Sequence, residues 1–264
     1  RGDREGEGSA FGNLGNVYAT LDDSREAIGY YEQALAIARE TGDLTGESSR
    51  LNNIGFAFLS QNNYQKANET LLQAIQVADK ISRIDVQIEA RTRLAQVYIF
   101  QNDLVNARAA IEAALQYDVP ENNHNASALH GIIALRQGEE VTARGAFVRA
   151  IGQADEILSK TAEYYSALDA KGLAICGLIL AGRGDPSMPT ETNDGKIVPP
   201  DKSTVSAGRV APTVDDAIET FRKARKIAPH AGIVKSVLRL FDELAKCDQD
   251  GVLKDVRNAA EGKE

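Results

Sequence analysis

The chain repeats itself every forty residues, and that period restricts the fold more than any other feature. Shifted by forty, Gly15 falls on Gly55 and Ala95, Tyr18 on Phe58 and Tyr98, Ala27 on Ala67 and Ala107, and Ala34 on Ala74 and Ala114. A fixed period of this size is the signature of stacked structural units, each burying its apolar face against the next. Each unit reads as two amphipathic helices. In the first, "AFGNLGNVYATL" puts Phe11, Leu14, Tyr18 and Leu21 on one face; in the second, "SREAIGYYEQALAIARE" does so with Ala27, Tyr31, Ala34, Leu35 and Ala38. A glycine in a helix interior costs roughly 1 kcal/mol relative to alanine. Its return at Gly15 and Gly55 predicts a compensating close approach between the two helices of a unit, with small residues at the crossing.

These residues resemble the tetratricopeptide repeat. The first unit carries the pattern as Phe11, Leu14, Gly15, Tyr18, Ala27, Tyr31 and Ala34, and the second as Leu51, Ile54, Gly55, Phe58, Ala67, Leu71 and Ala74. The third gives Leu94, Ala95, Tyr98, Ala107, Ile111 and Ala114; a fourth gives Gly131, Ala134, Ala143, Phe147 and Ala150. The proline expected at a unit's end is missing from the first two. The resemblance implies an all-α fold, a right-handed α-solenoid of about five helix pairs closed by a C-terminal capping helix.

The fifth pair is interrupted. Its first helix, "AEYYSALDAKGLAICGLIL", carries Gly172 at the glycine place, but its second, "TVDDAIETFRKARKIAP", arrives about 33 residues late with Ala217, Phe221, Ala224 and Pro229 in register. Five of the seven prolines fall in the intervening stretch, a composition that reads as a flexible insertion. The expected organisation is four units and the first helix of the fifth over 1–181, the insertion at 182–212, the returning helix at 213–230 and capping helices at 231–264. In those caps Ile233, Val237, Leu240, Phe241 and Leu244 supply the covering stripe. Gly2-Asp3 aligns with Gly42-Asp43, so residue 1 reads as lying in a connector between units, with an upstream domain expected in a longer parent chain. The polar helical end at 245–264 reads as a terminus.

The formal charge of −8 excludes an extended phosphate-binding surface, and the apolar run "GLAICGLILAG" is too short to span a bilayer. "RGDREGEG" is not a signal peptide. Cys176 and Cys247 have no metal or redox spacing and read as buried free thiols of a cytoplasmic protein. His124, His130 and His230 are scattered. The acidic pairs Asp22-Asp23, Glu139-Glu140 and Asp215-Asp216 stand at helix starts, where they cap free N–H groups. No catalytic constellation, metal site or cofactor motif emerges, and the expectation is a non-enzyme that needs no cofactor.

What remains is a surface. The first helices of the units line the concave face of a solenoid, which holds peptides or partner helices. On that face stand Asn13 and Asn16, then Asn52 and Asn53, then Arg93 and Gln96. Asparagine is a mediocre helix former, so its repetition mid-helix asks for a reason; its amide both donates and accepts, which suits an extended peptide backbone. The set partly resembles the clamp with which some tetratricopeptide domains hold an acidic C-terminal peptide. Asn16, Asn53 and Arg93 fall at three of its places, but Gly12 and Glu89 replace its two lysines. The wording of the repeats is closer to forty-residue arrays of scaffold proteins and to the C-terminal sensor arrays of bacterial signalling (STAND-type) ATPases. The implied function is a protein-interaction module for a peptide or protein partner, in a signalling or scaffold context, with neither nucleic acid nor membrane as partner. The alternatives are a sensor for a small signal peptide or metabolite, and a self-associating scaffold.

Overall fold

The computed structural model describes residues 3–117, 119–182, 190–191, 197–198 and 212–263. Twelve helices stand among them: α1 (Arg4–Thr20), α2 (Ser24–Thr41), α3 (Leu44–Ser60), α4 (Tyr64–Lys80), α5 (Ile84–Phe100), α6 (Leu104–Ala114), α7 (Pro120–Arg136), α8 (Glu140–Lys160), α9 (Tyr165–Leu180), α10 (Val214–Ile227), α11 (Ala231–Ala245) and α12 (Lys254–Glu261). The fold is all-α apart from two short strands, β1 (Thr190–Glu191) and β2 (Ile197–Val198), paired antiparallel. Most of the predicted insertion at 182–212 lies outside the described residues.

A backbone metre of twenty residues underlies the helix pairs. Asp22, Gly42, Asn62, Ser82 and Asn102 each adopt a positive φ, between 53° and 73°, immediately after a helix or one residue later. One left-handed residue ends a helix and turns the chain back. At four of these joints the next helix then starts on a side chain that accepts from its own first turn: Asp23 Oδ1 from the Glu26 N–H at 3.2 Å, Asp43 from Gly46 at 2.9 Å, Asn63 from Lys66 at 3.3 Å and Asp103 from Asn106 at 3.1 Å. The capping role expected of the acidic pairs therefore holds at Asp23. It holds in another form at Asp216, whose carboxylate accepts from the Thr213 N–H at 2.7 Å in a capping box, and it fails at Glu139, whose longer side chain makes no cap bond.

The chain divides into two compact units, Arg1–Tyr117 with His230–Ile233 and Asp118–Pro229 with Val234–Glu264. In the first, α1 to α6 pack in sequence, each against the next, and α3 also lies beside α5. Its core joins Ala27, Tyr31, Leu51, Ile54, Leu71, Ala74 and Leu94. A Cβ placed on Gly15 would fall 2.5 Å from Tyr31 Cδ1, and one on Gly55 would fall 2.6 Å from Leu71 Cγ. The glycines thus admit a bulky residue of the paired helix where a methyl group would collide. The apolar face expected of α1 is corrected: Leu14 and Leu21 are 42% and 58% exposed, whereas Gly8, Gly12 and Gly15 are buried. Gly8 and Gly15 face Ile37 and Tyr31 of α2, and Gly12 lies under Arg50 of α3. The equivalents of Leu14, Ile54 and Leu94, are buried because α3 and α5 each follow a helix that covers them.

In the second unit α7, α8 and α9 pack together, α10 lies against α9, and α12 against α10. Gly131 accommodates Phe147, and Gly172 accommodates Phe221 across the interrupted pair. Of the stripe expected on α11, Val237, Phe241 and Leu244 are buried, Ile233 and Leu240 only partly. A buried ion pair, Arg225 with Asp169, ties α10 to α9. Cys176 is buried and free, and burial pushes its thiol far above the ordinary range. Cys247, expected to be buried, is only partly so, because it follows the end of α11.

Candidate functional site

Three helices of the first unit bring the asparagines of α1 and α3 together with the arginine of α5. The Tyr31 hydroxyl, reaching over Gly15 from α2, donates to Asn16 Oδ1 at 2.8 Å. Asn53 Nδ2 donates to the same oxygen at 3.3 Å. Arg93 Nη1 in turn donates to Asn53 Oδ1 at 3.3 Å and to the backbone carbonyl of Asn52 at 3.1 Å. The result is a polar ladder across α1, α3 and α5. Both ends of the Asn53 amide are engaged, which fixes its orientation. Asn16 uses its carbonyl twice, while its Nδ2 makes no hydrogen bond among the described residues and remains an exposed donor.

Asn52 and Asn53 are adjacent in sequence but differ in role, since one step along a helix turns the side chain by about 100°. Asn53 is partly exposed on the ladder, while Asn52 is buried, donating from Nδ2 to Glu89 Oε2 at 3.0 Å. Glu89 also lies 3.5 Å from Arg93 Nη2, one turn away on α5. The Arg93 guanidinium stacks on Phe56, 4.8 Å from the ring centre, an attraction between cation and aromatic face. Arg93 is thus held from three sides. Asn13 is exposed and Gln96 partly so, and neither joins the ladder.

Two participants escape a reading of the sequence alone. Helical periodicity assigns Tyr31 to packing only; in the structure its ring packs while its hydroxyl anchors Asn16. Burial raises its phenol above the usual range, while Arg93 and Arg50 pull it back. Arg50, on α3, is the second. Its guanidinium lies directly over Gly12, in the volume a Cβ there would take. The glycine itself is the available signal, because a bare backbone position leaves room for a long side chain from another helix. Among the described residues no three His, Cys, Asp or Glu side chains gather as a metal site, and no helix is long and apolar enough to cross a membrane.

Comparison with known proteins bears on the fold. Residues 3–80 and 88–118 match two family models, both described as tetratricopeptide repeat. These segments carry the three helix pairs that hold the ladder, and the matches support that family. No curated protein matches the chain. Among solved structures, the nearly identical TPR-like repeats of a Podosopora anserina chain named for kinesin light chain are 16% identical, with a TM-score of 0.50 over 83% of this chain and 93% of that one. A second structure of those repeats, carrying one glutamine-to-methionine substitution, is 15% identical, with a TM-score of 0.52 over 86% and 97%. At such identity the likeness concerns fold alone: the fold is that of a tetratricopeptide-type solenoid.

Proposed function

We propose that the face shared by α1, α3 and α5 binds an extended peptide or peptide-like segment of a partner protein, and that the protein is a non-catalytic interaction module of a signalling or scaffold assembly in the cytoplasm. Folds of this kind commonly mediate protein or peptide binding. The observation that carries the reading here is the Asn16–Asn53–Arg93 ladder. Mid-helix asparagines are held in fixed orientation at a half-exposed surface, with the Asn16 amide N–H groups left over for a ligand carbonyl. Pre-orienting these groups before binding reduces the ordering cost at contact. Asn13 and Gln96 flank the ladder and would extend the contact along α1 and α5. Two free cysteines, one fully buried, support a reducing compartment.

The test is affinity capture from the source lysate with the native chain beside an Asn16→Ala/Asn53→Ala/Arg93→Ala variant of matched helicity. Retention of a defined partner by the native chain alone is the expected result. Retention by both moves the site away from the ladder and overturns the reading. Retention by neither, together with a thermal shift on adding low-molecular-weight extract, favours the sensor alternative.

A further inference from the structure

We infer that Arg50 is an anion-recognising residue of this site, and that the bound segment presents an acidic side chain to it at the crossing of α1 and α3. The inference rests on the peptide-binding reading above and specifies the ligand's chemistry.

The site carries a charge imbalance. Arg50 is half-buried, and among the described residues it makes neither a hydrogen bond nor an ion pair. Burial accordingly pulls its guanidinium below its ordinary pKa. The charges that act on it are not partners within reach. The Tyr31 phenol and Asp43 attract it, but the Tyr31 hydroxyl is engaged with Asn16 and the Asp43 carboxylate caps α3 at the Gly46 N–H. Arg83 repels it, while itself held by Asp85 and the Thr45 carbonyl. Removing a cation partly from water without a counter-ion is unfavourable, and such an arrangement is relieved when a ligand supplies the missing charge.

Arg93, the other guanidinium on this face, does not compete for that charge. It already has Glu89 beside it, and Glu89 is fixed in place by Asn52. The protein's own carboxylate therefore neutralises the α5 side of the ladder, and the uncompensated positive charge lies on the α1–α3 side. Gly12 makes this geometry available, since any side chain there would push the guanidinium off α1. Asn16 lies one turn further along the same helix, so an acidic side chain on Arg50 sets the flanking peptide carbonyls beside the free Asn16 N–H groups.

The probe is a set of three fluorescein-labelled heptapeptide mixtures, with the central residue fixed as Glu, Gln or Lys and uncharged residues elsewhere, read by polarisation on the full chain. The Glu mixture is expected to bind about tenfold more tightly than the Gln mixture, the scale of a hydrogen bond to a charged group, with Lys weakest. Arg50→Met should erase the difference between Glu and Gln. Because Arg50 makes no hydrogen bond or ion pair among the described residues, this variant should melt no lower than the native chain. Gly12→Ala should reduce the Glu preference in the same direction. Equal binding of Glu and Gln, or a Glu preference that survives Arg50→Met, overturns the assignment and leaves the peptide site standing. Failure of all three mixtures to bind overturns both.

Discussion

Phe221 lies over Gly172 as Leu71 lies over Gly55, although the second helix of the Gly172 pair comes so much later in the chain. A Cβ on Gly172 would sit 2.7 Å from Phe221 Cζ, almost the distance found between a Cβ on Gly55 and Leu71 Cγ. The register of a helix pair is thus set by which bulky residue meets which glycine, and an interruption between the two helices leaves it unchanged.

That contact predicts a size limit. Gly55→Leu should destabilise the fold by about 1–3 kcal/mol through overpacking, measured by denaturant unfolding. Gly152→Ala is the control: nothing lies within 4 Å of the added Cβ, so the same technique should show a gain of roughly 0.5–1 kcal/mol from helix propensity. An unchanged midpoint for Gly55→Leu would count against close packing as the reason for the glycine.

Ser82 follows α4 with a φ of 53°, while among the described residues the other non-glycine residues in this conformation are Asp22, Asn62 and Asn102. Asparagine and aspartate tolerate the left-handed region through local hydrogen bonding, and serine does so less well. Ser82→Gly should therefore raise stability by about 0.5–1 kcal/mol, visible as a higher melting temperature, while Asn62→Gly should change it less.

Between α9 and α10, Asp169 and Arg225 are both buried, and among the described residues Arg225 Nε and Nη1 find no hydrogen-bond partner. Asp169→Ala leaves a buried cation alone and should cost about 3–5 kcal/mol. Asp169→Leu combined with Arg225→Met replaces the pair with apolar volume and should restore most of that loss. If the double variant is no better than the single one, the pair has a role that packing cannot substitute.

The same carboxyl gives a pH dependence. Burial raises Asp169 from 3.8 to about 6, against the opposing pull of Arg225. The folded state therefore holds this proton to a higher pH than the unfolded chain. Its contribution to stability is complete below about pH 4 and is lost as pH rises through about 6, by up to roughly 3 kcal/mol for a shift of this size. Asp169→Asn should flatten the difference in unfolding free energy between pH 4.5 and 7.5; an identical slope in variant and native chain would argue against it.

The fold was legible where its cause is local. The forty-residue register, the glycine places and the alanines at the crossings are properties of side-chain size and spacing, and both can be read in one dimension. Leu14 and Leu21 show the limit: helical periodicity assigns them to a buried face, but what covers a face depends on which helix lies beside it. Arg50 was illegible for a related reason, since the destination of a long side chain depends on a vacancy in another helix. The asparagines could be singled out because they cost helix stability without an evident local reward. That they hydrogen-bond to one another requires the distance between α1 and α3, which no spacing within either helix contains.

The left-handed residues at 22, 42, 62, 82 and 102 close each helix by local geometry, so every joint of the first unit is built to the same gauge. Removing or duplicating a stretch between two such joints forty residues apart would return the chain to the same backbone conformation at the splice. Between the joints at 22, 62 and 102 it would also restore a capping residue, since Asp23, Asn63 and Asp103 each open the next helix. Such an array can lengthen or shorten by recombination without inventing a new turn. The ladder across α1, α3 and α5 would grow or shrink by one rung with each exchange, so the extent of this polar face is a quantity that evolution can adjust in whole steps.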